Sequence, residues 1–166
     1  MLQLLVMRHA KSDWTGDFAE DHDRPLAPRG VRAAGLIGRF LAVSGHGPDT
    51  VIASTAVRAL DTVDRAVEAG GFSCPIVTTR DLYGVHPSGA LEIVADRAEL
   101  PRLLIVGHEP AWSGLVSLLT GGGRVRMPTA AVACVEFPAE DWHDVTAGSG
   151  QLRWLVTPKL LKKWSG

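Results

Sequence analysis

Arg8-His9 directly follows the apolar run LQLLVM, His108 follows LLIVG, and Arg58 closes the stretch STAVR that begins at Ser54. Two imidazoles and two guanidiniums placed just beyond apolar segments can together handle a phosphoryl group. Such a group carries two negative charges on three oxygens, and a guanidinium fork matches pairs of those oxygens where a lysine ammonium offers only a point charge. A neutral imidazole can attack phosphorus in line and carry the group as phosphohistidine, which splits one hard transfer into two easier ones. On this chemistry Arg8 and Arg58 are the clamp and His9 the nucleophile, its lone pair kept available by the neighbouring guanidinium charges. His108 donates to a phosphoryl oxygen as negative charge spreads in the transition state. Any one of these residues taken alone reads more readily as a hydrogen-bonded structural group at a strand end. The ordered set R-H, S-x-x-x-R, G-H-x-P carries the functional reading.

Three strand-to-helix units must position these groups. Leu2 to Met7 reads as a continuously apolar strand, followed by a helix from about Gly30 to Val43. Thr50 to Ala53 reads as a second strand, with a helix from about Ala56 to Ala69 closed by Gly70-Gly71. PIVTT is a weaker strand because of Pro75, and Ser88 to Arg97 reads as a helix with Ser88 as its cap. Leu103 to Val106 is the clearest strand, and the helix after it is opened by Pro110 and stopped by the glycines at 121 to 123. Ala131 to Phe137 and Leu152 to Val156 are further β segments. This alternation predicts a three-layer α/β/α sandwich with a mainly parallel central sheet. Ligands bind such sheets beyond the carboxyl ends of the strands, where the Arg and His residues fall.

The chain of 166 residues, 46% hydrophobic with mean hydropathy +0.11, can fill one core and is expected to form a single domain over residues 1–166. Its 17 Lys plus Arg balance 18 Asp plus Glu, which excludes the global field that draws a protein to nucleic acid or a membrane surface. An anion, phosphate or sulfate, must therefore be gripped locally. No signal-peptide pattern opens the chain and no apolar run approaches about 18 residues, so a cytoplasmic protein is expected. Cys74 and Cys134 lie outside any C-x-x-C pattern and read as buried, inert thiols.

The ordered motif set closely resembles the histidine phosphatase superfamily, named for its R-H-G motif, and within it the SixA-type protein-phosphohistidine phosphatases. The matching stretches are LVMRHAKSDW, DHDRPLAPRG, ASTAVRALDT, DLYG, VGHEP, MPTAAVA and LVTPKLL, spread over essentially the whole chain. The resemblance implies a phosphoglycerate-mutase-like fold, His9 as the phosphorylated nucleophile, and Arg8, Arg58 and His108 as the phosphate pocket. It further implies a reaction without metal or cofactor on a phosphohistidine-bearing protein of a phosphorelay or phosphotransferase system. Ala10 stands where the superfamily more often has glycine, as fits the SixA-type branch.

The general acid is less clearly marked. The mutase-like branch carries a glutamate in the segment matching DLYGV, which has none, while the acid phosphatases place an acidic residue directly after the second histidine, where Glu109 stands. Glu109 reads more readily as a carboxylate favoured at a helix N-terminus. An alkoxide leaving group benefits strongly from a protein-supplied proton, whereas phosphohistidine can take one from solvent on its distal nitrogen and leave as neutral imidazole. A site without a dedicated acid thus favours P–N over P–O cleavage. Ser12 is expected to bind substrate, with Lys11, Asp23 and Arg24 as further contacts, and His22 falls in a loop rimming the pocket. No metal-ligand spacing surrounds His22. Trp14, Trp112, Trp142, Trp154 and Trp164 read as core or capping aromatics. Two rival functions stay open: a small-molecule phosphomonoesterase, and a phosphate-binding module without turnover.

Overall fold

The computed structural model describes residues 1–164. Its strands are β1 (Leu2–Arg8), β2 (Thr50–Ser54), β3 (Ile76–Thr79), β4 (Arg102–Gly107), β5 (Val132–Phe137) and β6 (Gln151–Val156). Its α-helices are α1 (Pro28–Val43), α2 (Val57–Gly70), α3 (Pro87–Arg97), α4 (Ala111–Leu119) and α5 (Pro158–Trp164). The strands form one sheet in the order β3-β2-β4-β1-β5-β6. The pairings β2–β3, β2–β4 and β1–β4 are parallel, while β5 runs antiparallel to both β1 and β6, so the sheet is mixed with a parallel body.

The continuous apolarity of β1 follows from its central place, with a helical layer over each face. Leu2, Leu4 and Val6 point to a core shared with Val94 of α3 and Trp112 and Leu115 of α4. Leu5 and Met7 point the other way, to Ala34, Ile37 and Leu41 of α1 and Val63 of α2. Helices α1 and α2 approach so closely that a Cβ at Gly38 would stand 2.1 Å from the Ala66 carbonyl oxygen. Helix α2 ends at Gly71 with φ of 66°, the left-handed cap expected from the glycine pair.

Four points of the sequence reading need correction. Helix α3 is capped by His86 with Pro87 in its first turn, and Ser88 lies inside the helix, because proline fits the position whose N–H would be unpaired anyway. Helix α5 has no counterpart in the sequence reading: seven residues are too few for a periodic signal, and only Leu161 packs on the core. The tryptophans divide. Trp112 and Trp142 are buried and Trp154 packs against Phe40, but Trp14 and Trp164 are exposed. Of the cysteines, Cys134 is buried and its thiol is pushed up to about 11, mainly by burial, whereas Cys74 is only half-buried. Among the described residues no helix is long and apolar enough to cross a membrane.

Candidate active site

Sheet register brings the two histidines together. β1 and β4 align Arg8 with Gly107, so His9 and His108 leave the sheet side by side. The His9 N–H donates to the Gly107 carbonyl at 2.9 Å and the two ring centroids are 5.2 Å apart. Gly107 has a packing reason: a Cβ there would stand 2.3 Å from the indole of Trp112, which fills the core beneath the strand end. On the other side of β4, strand β2 ends at Ser54, and the first turn of α2 delivers Arg58. Arg8, His9, Arg58 and His108 line one pocket of about 210 Å³.

His9 is held in one tautomer. Its Nδ1–H donates to the Ala10 carbonyl at 2.7 Å, which leaves the Nε2 lone pair free. The Ala10 N–H donates to Thr62 Oγ1 at 2.9 Å, and the Thr62 hydroxyl donates to the Arg58 carbonyl at 2.6 Å, one turn earlier in α2. The segment after β1 is thus tied to the helix that carries the second arginine. Burial, reinforced by His108, Arg58 and Arg8, pushes the His9 imidazole down to about 3 against the opposing Ala10 bond, so it is neutral near pH 7.

His108 is set by a buried hydroxyl. Ser54 Oγ accepts the Ala56 N–H at 3.3 Å and lies 2.8 Å from His108 Nε2. The hydroxyl hydrogen has Nε2 as its acceptor, so Ser54 donates to Nε2 and the ring proton sits on Nδ1. His108 is then a hydrogen-bond donor without being charged. Burial first, then Arg58, holds its imidazole down to about 4.

The two arginines are anchored alike. Arg8 Nη1 donates to the Met127 carbonyl at 3.0 Å, and Arg58 Nη1 donates to the Asp21 carbonyl at 2.6 Å. Among the described residues, the buried side-chain nitrogens and oxygens without a partner are Arg8 Nε, Arg58 Nε and His108 Nδ1. All three belong to side chains that line this one pocket. Unpaired buried polar groups are costly, and three donors around a neutral imidazole make a socket complementary to an anion. The turn that holds Arg8 carries backbone strain: Ala130, at φ of 60°, donates its N–H to the His9 carbonyl at 3.1 Å.

Of the other expected residues, Lys11, Ser12, Arg24 and Glu109 also line the pocket. Ser12 hydrogen-bonds Arg24 Nη1. Asp23 is not part of the lining; it is an exposed residue beside His22. His22 packs edge-on against Tyr83 at 5.0 Å and hydrogen-bonds Thr55 Oγ1 at 2.9 Å. Glu109 is occupied: Ser113 donates to its carboxylate through N–H at 2.8 Å and through the hydroxyl at 2.7 Å, in the first turn of α4. Trp14, expected to be a core or capping aromatic, stacks on the Arg24 guanidinium at 3.6 Å and is among the residues that line the pocket.

Sequence reasoning missed Asp21. Its carboxylate accepts from Arg24 Nη2 at 2.7 Å, Arg58 Nη2 at 2.9 Å and Tyr83 hydroxyl at 2.9 Å. These contacts, the Arg24 bond foremost, hold its carboxyl well below the usual range. Asp21 thereby fixes both arginines, and the only sequence signal for it was its position in DHDRP. Ser54 and Thr62 sat within ASTAVRALDT, but their positioning roles went unread.

The comparisons agree with this architecture. The family model of the histidine phosphatase superfamily (branch 1) matches residues 4–87. An uncharacterized protein of Mycobacterium tuberculosis is 36% identical over 92% of this chain and 100% of its own length. SixA from Nakamurella multipartitia is 28% identical, covers 95% of this chain and 96% of its own, and superposes with a TM-score of 0.80. The protein histidine phosphatase SixA complexed with tungstate, 23% identical, shares the fold with a TM-score of 0.78 over 96% of this chain and 99% of its own. With its R-H strand end, its second histidine and this phosphoglycerate-mutase-like fold, the chain belongs to the histidine phosphatase superfamily, as a SixA-type member.

Proposed function

We propose that the protein removes phosphate from phosphohistidine in a protein substrate through a covalent intermediate on His9. The observation that carries this reading is the set of three unpartnered nitrogens, Arg8 Nε, Arg58 Nε and His108 Nδ1, on side chains that line the same pocket as the neutral His9 ring. In the first step His9 Nε2 attacks phosphorus while the bond to the substrate imidazole breaks, and that imidazole leaves neutral after taking a proton from solvent on its distal nitrogen. The two guanidiniums and His108 hold the equatorial oxygens as charge spreads over them. In the second step water attacks phospho-His9, phosphate departs, and His9 is restored.

The engagement of both Glu109 oxygens by Ser113 favours P–N over P–O cleavage, since the pocket carboxylate is already committed to opening α4. That a SixA of the same fold is complexed with tungstate, a tetrahedral oxyanion like phosphate, supports an anion-binding reading. The test is a ranking of kcat/KM over phosphohistidine-bearing domains, sugar phosphates, nucleotides and p-nitrophenyl phosphate, with mass spectrometry after an acid-free quench. A phosphohistidine protein should rank first, with a phosphoryl increment on His9. A metabolite ester ranking first would establish the phosphomonoesterase reading instead, and binding without turnover on any substrate would establish the phosphate-binding module.

A further inference from the structure

Beside the phosphate pocket opens a much larger cavity of about 950 Å³, continuous with it through Arg8, Lys11, Glu109 and Thr129, which line both. Its walls carry Lys11, Arg29, Arg126, Lys159, Lys162 and Lys163. These six cations come from the segment after β1, the start of α1, the loop before β5, and α5. In a chain whose formal net charge is −1, such a concentration requires that acidic residues lie elsewhere. Among the described residues, every arginine that pairs with a carboxylate lies outside the groove: Arg24 and Arg58 with Asp21, Arg65 with Glu68, Arg97 with Asp81, and Arg153 with Glu136. Among the described residues none of the six groove cations makes an ion pair or a side-chain hydrogen bond. The one acidic lining residue, Glu109, is turned to Ser113. Lys162 and Lys163 also suit the C-terminal end of α5, where cations meet the helix dipole, but that accounts for two of the six.

We propose that this groove is the docking track for an acidic protein surface, which presents its phosphohistidine to the adjoining pocket. The proposal rests on the phosphohistidine reading above and adds the character of the partner. Three features favour an acidic protein face over other anions. Apart from the half-buried Lys11, the cations are exposed, on long flexible stems, with no fixed convergent geometry of the kind that defines a compact metabolite. Exposed charges of this sort steer encounter and select partners. The lining contains no aromatic side chain on which nucleic-acid bases could stack.

The test compares wild type with the charge-reversal variant Arg126→Glu/Lys162→Glu/Lys163→Glu, whose sites lie outside the phosphate pocket. Three probes are used: phosphohistidine peptides flanked by glutamates or by lysines, free phosphoramidate, and a fluorescein-labelled glutamate-rich peptide without phosphate. In the variant, KM for the glutamate-flanked substrate should rise at least about tenfold with kcat unchanged, and phosphoramidate turnover should stay within about twofold. The labelled peptide should bind wild type in a salt-sensitive way and bind the variant weakly. Equal KM changes for both flanked peptides would overturn the proposal, as would tighter wild-type binding to oligothymidine or to phosphatidylserine vesicles than to the labelled peptide. If wild type hydrolyses neither phosphohistidine peptide, the functional reading fails separately. The labelled peptide then decides the groove: charge-reversal-sensitive binding supports an acidic docking surface and its absence overturns it.

Discussion

In the inner pocket Arg8 and His108 are each anchored through one nitrogen and Arg58 through two, and each leaves another unpartnered, whereas the neighbouring groove is edged by cations that touch no carboxylate. Both regions are suited to anions, by different physics. The pocket spends hydrogen bonds on fixing its donors, through Met127, Asp21 and Ser54, so that a tetrahedral anion meets a preformed set of N–H groups. The groove fixes nothing, and its cations act through their summed field, which falls off over about 8 Å at physiological ionic strength. Substitutions in the pocket should therefore depend on geometry and little on salt, and those in the groove the reverse.

The sharpest break in that comparison is at His9. His9→Ala should reduce turnover by at least about 10⁴-fold while the fold persists, because the ring stands beyond the end of β1. Single-turnover assays and circular dichroism check both halves, and substantial residual turnover would remove the covalent mechanism. Burial of His9 also makes a stability prediction. Its folded pKa of about 3 lies below the unfolded value near 6.5, so between those limits the unfolded chain binds a proton that the folded chain does not. Stability should fall as pH drops through that window, with His108 adding to the slope down to about 4. Urea titrations of His9→Ala should show a shallower dependence on pH than wild type.

Arg58→Lys comes next. Charge is kept, but the Nε edge and both contacts to Asp21 are lost, and hydrogen bonds to charged groups are worth about 1.5–3 kcal/mol each. A loss of at least about tenfold in kcat/KM is expected. Lysine matching arginine would place Arg58 outside the functional pocket.

Ser54→Ala tests the tautomer argument. Without the hydroxyl, Nε2 of His108 has no partner and nothing fixes the ring proton on Nδ1. Turnover should fall by about tenfold, the worth of a hydrogen bond of about 1.4 kcal/mol, and Ser54→Thr should restore most of it. A uniform loss with no rescue by threonine would make Ser54 a packing residue only.

These positions also mark where the sequence was legible. Strands β1, β2 and β4 were readable because burial on both faces demands unbroken apolar runs, and the same runs pointed to Arg8, His9 and His108 at their ends. Asp21 was not, since an aspartate among the acidic residues of EDHDRP shows nothing of a partner as distant in sequence as Arg58. Ser54 was visible as a motif letter, but its effect on His108 depends on the β2–β4 pairing that sets the two residues side by side. The groove left no charge run to notice: Lys11, Arg29, Arg126 and the lysines of α5 converge only once α5 has formed, and α5 itself was too short to read.

Glu109 should give the smallest effect and lies between the two regions, lining both. If its carboxylate serves α4, as the two bonds from Ser113 indicate, Glu109→Gln keeps an acceptor for the Ser113 N–H and changes phosphohistidine hydrolysis by only about two- to threefold. General acid catalysis would behave differently, because an ester leaving group needs the proton and its loss costs about 10² to 10⁴ in rate. Measuring both substrates on one preparation separates the cases. Small changes on both leave Glu109 a helix-opening residue beside the phosphate socket. A large loss confined to p-nitrophenyl phosphate makes it the acid for ester cleavage, and a large loss on phosphohistidine shows that the departing imidazole takes its proton from the protein.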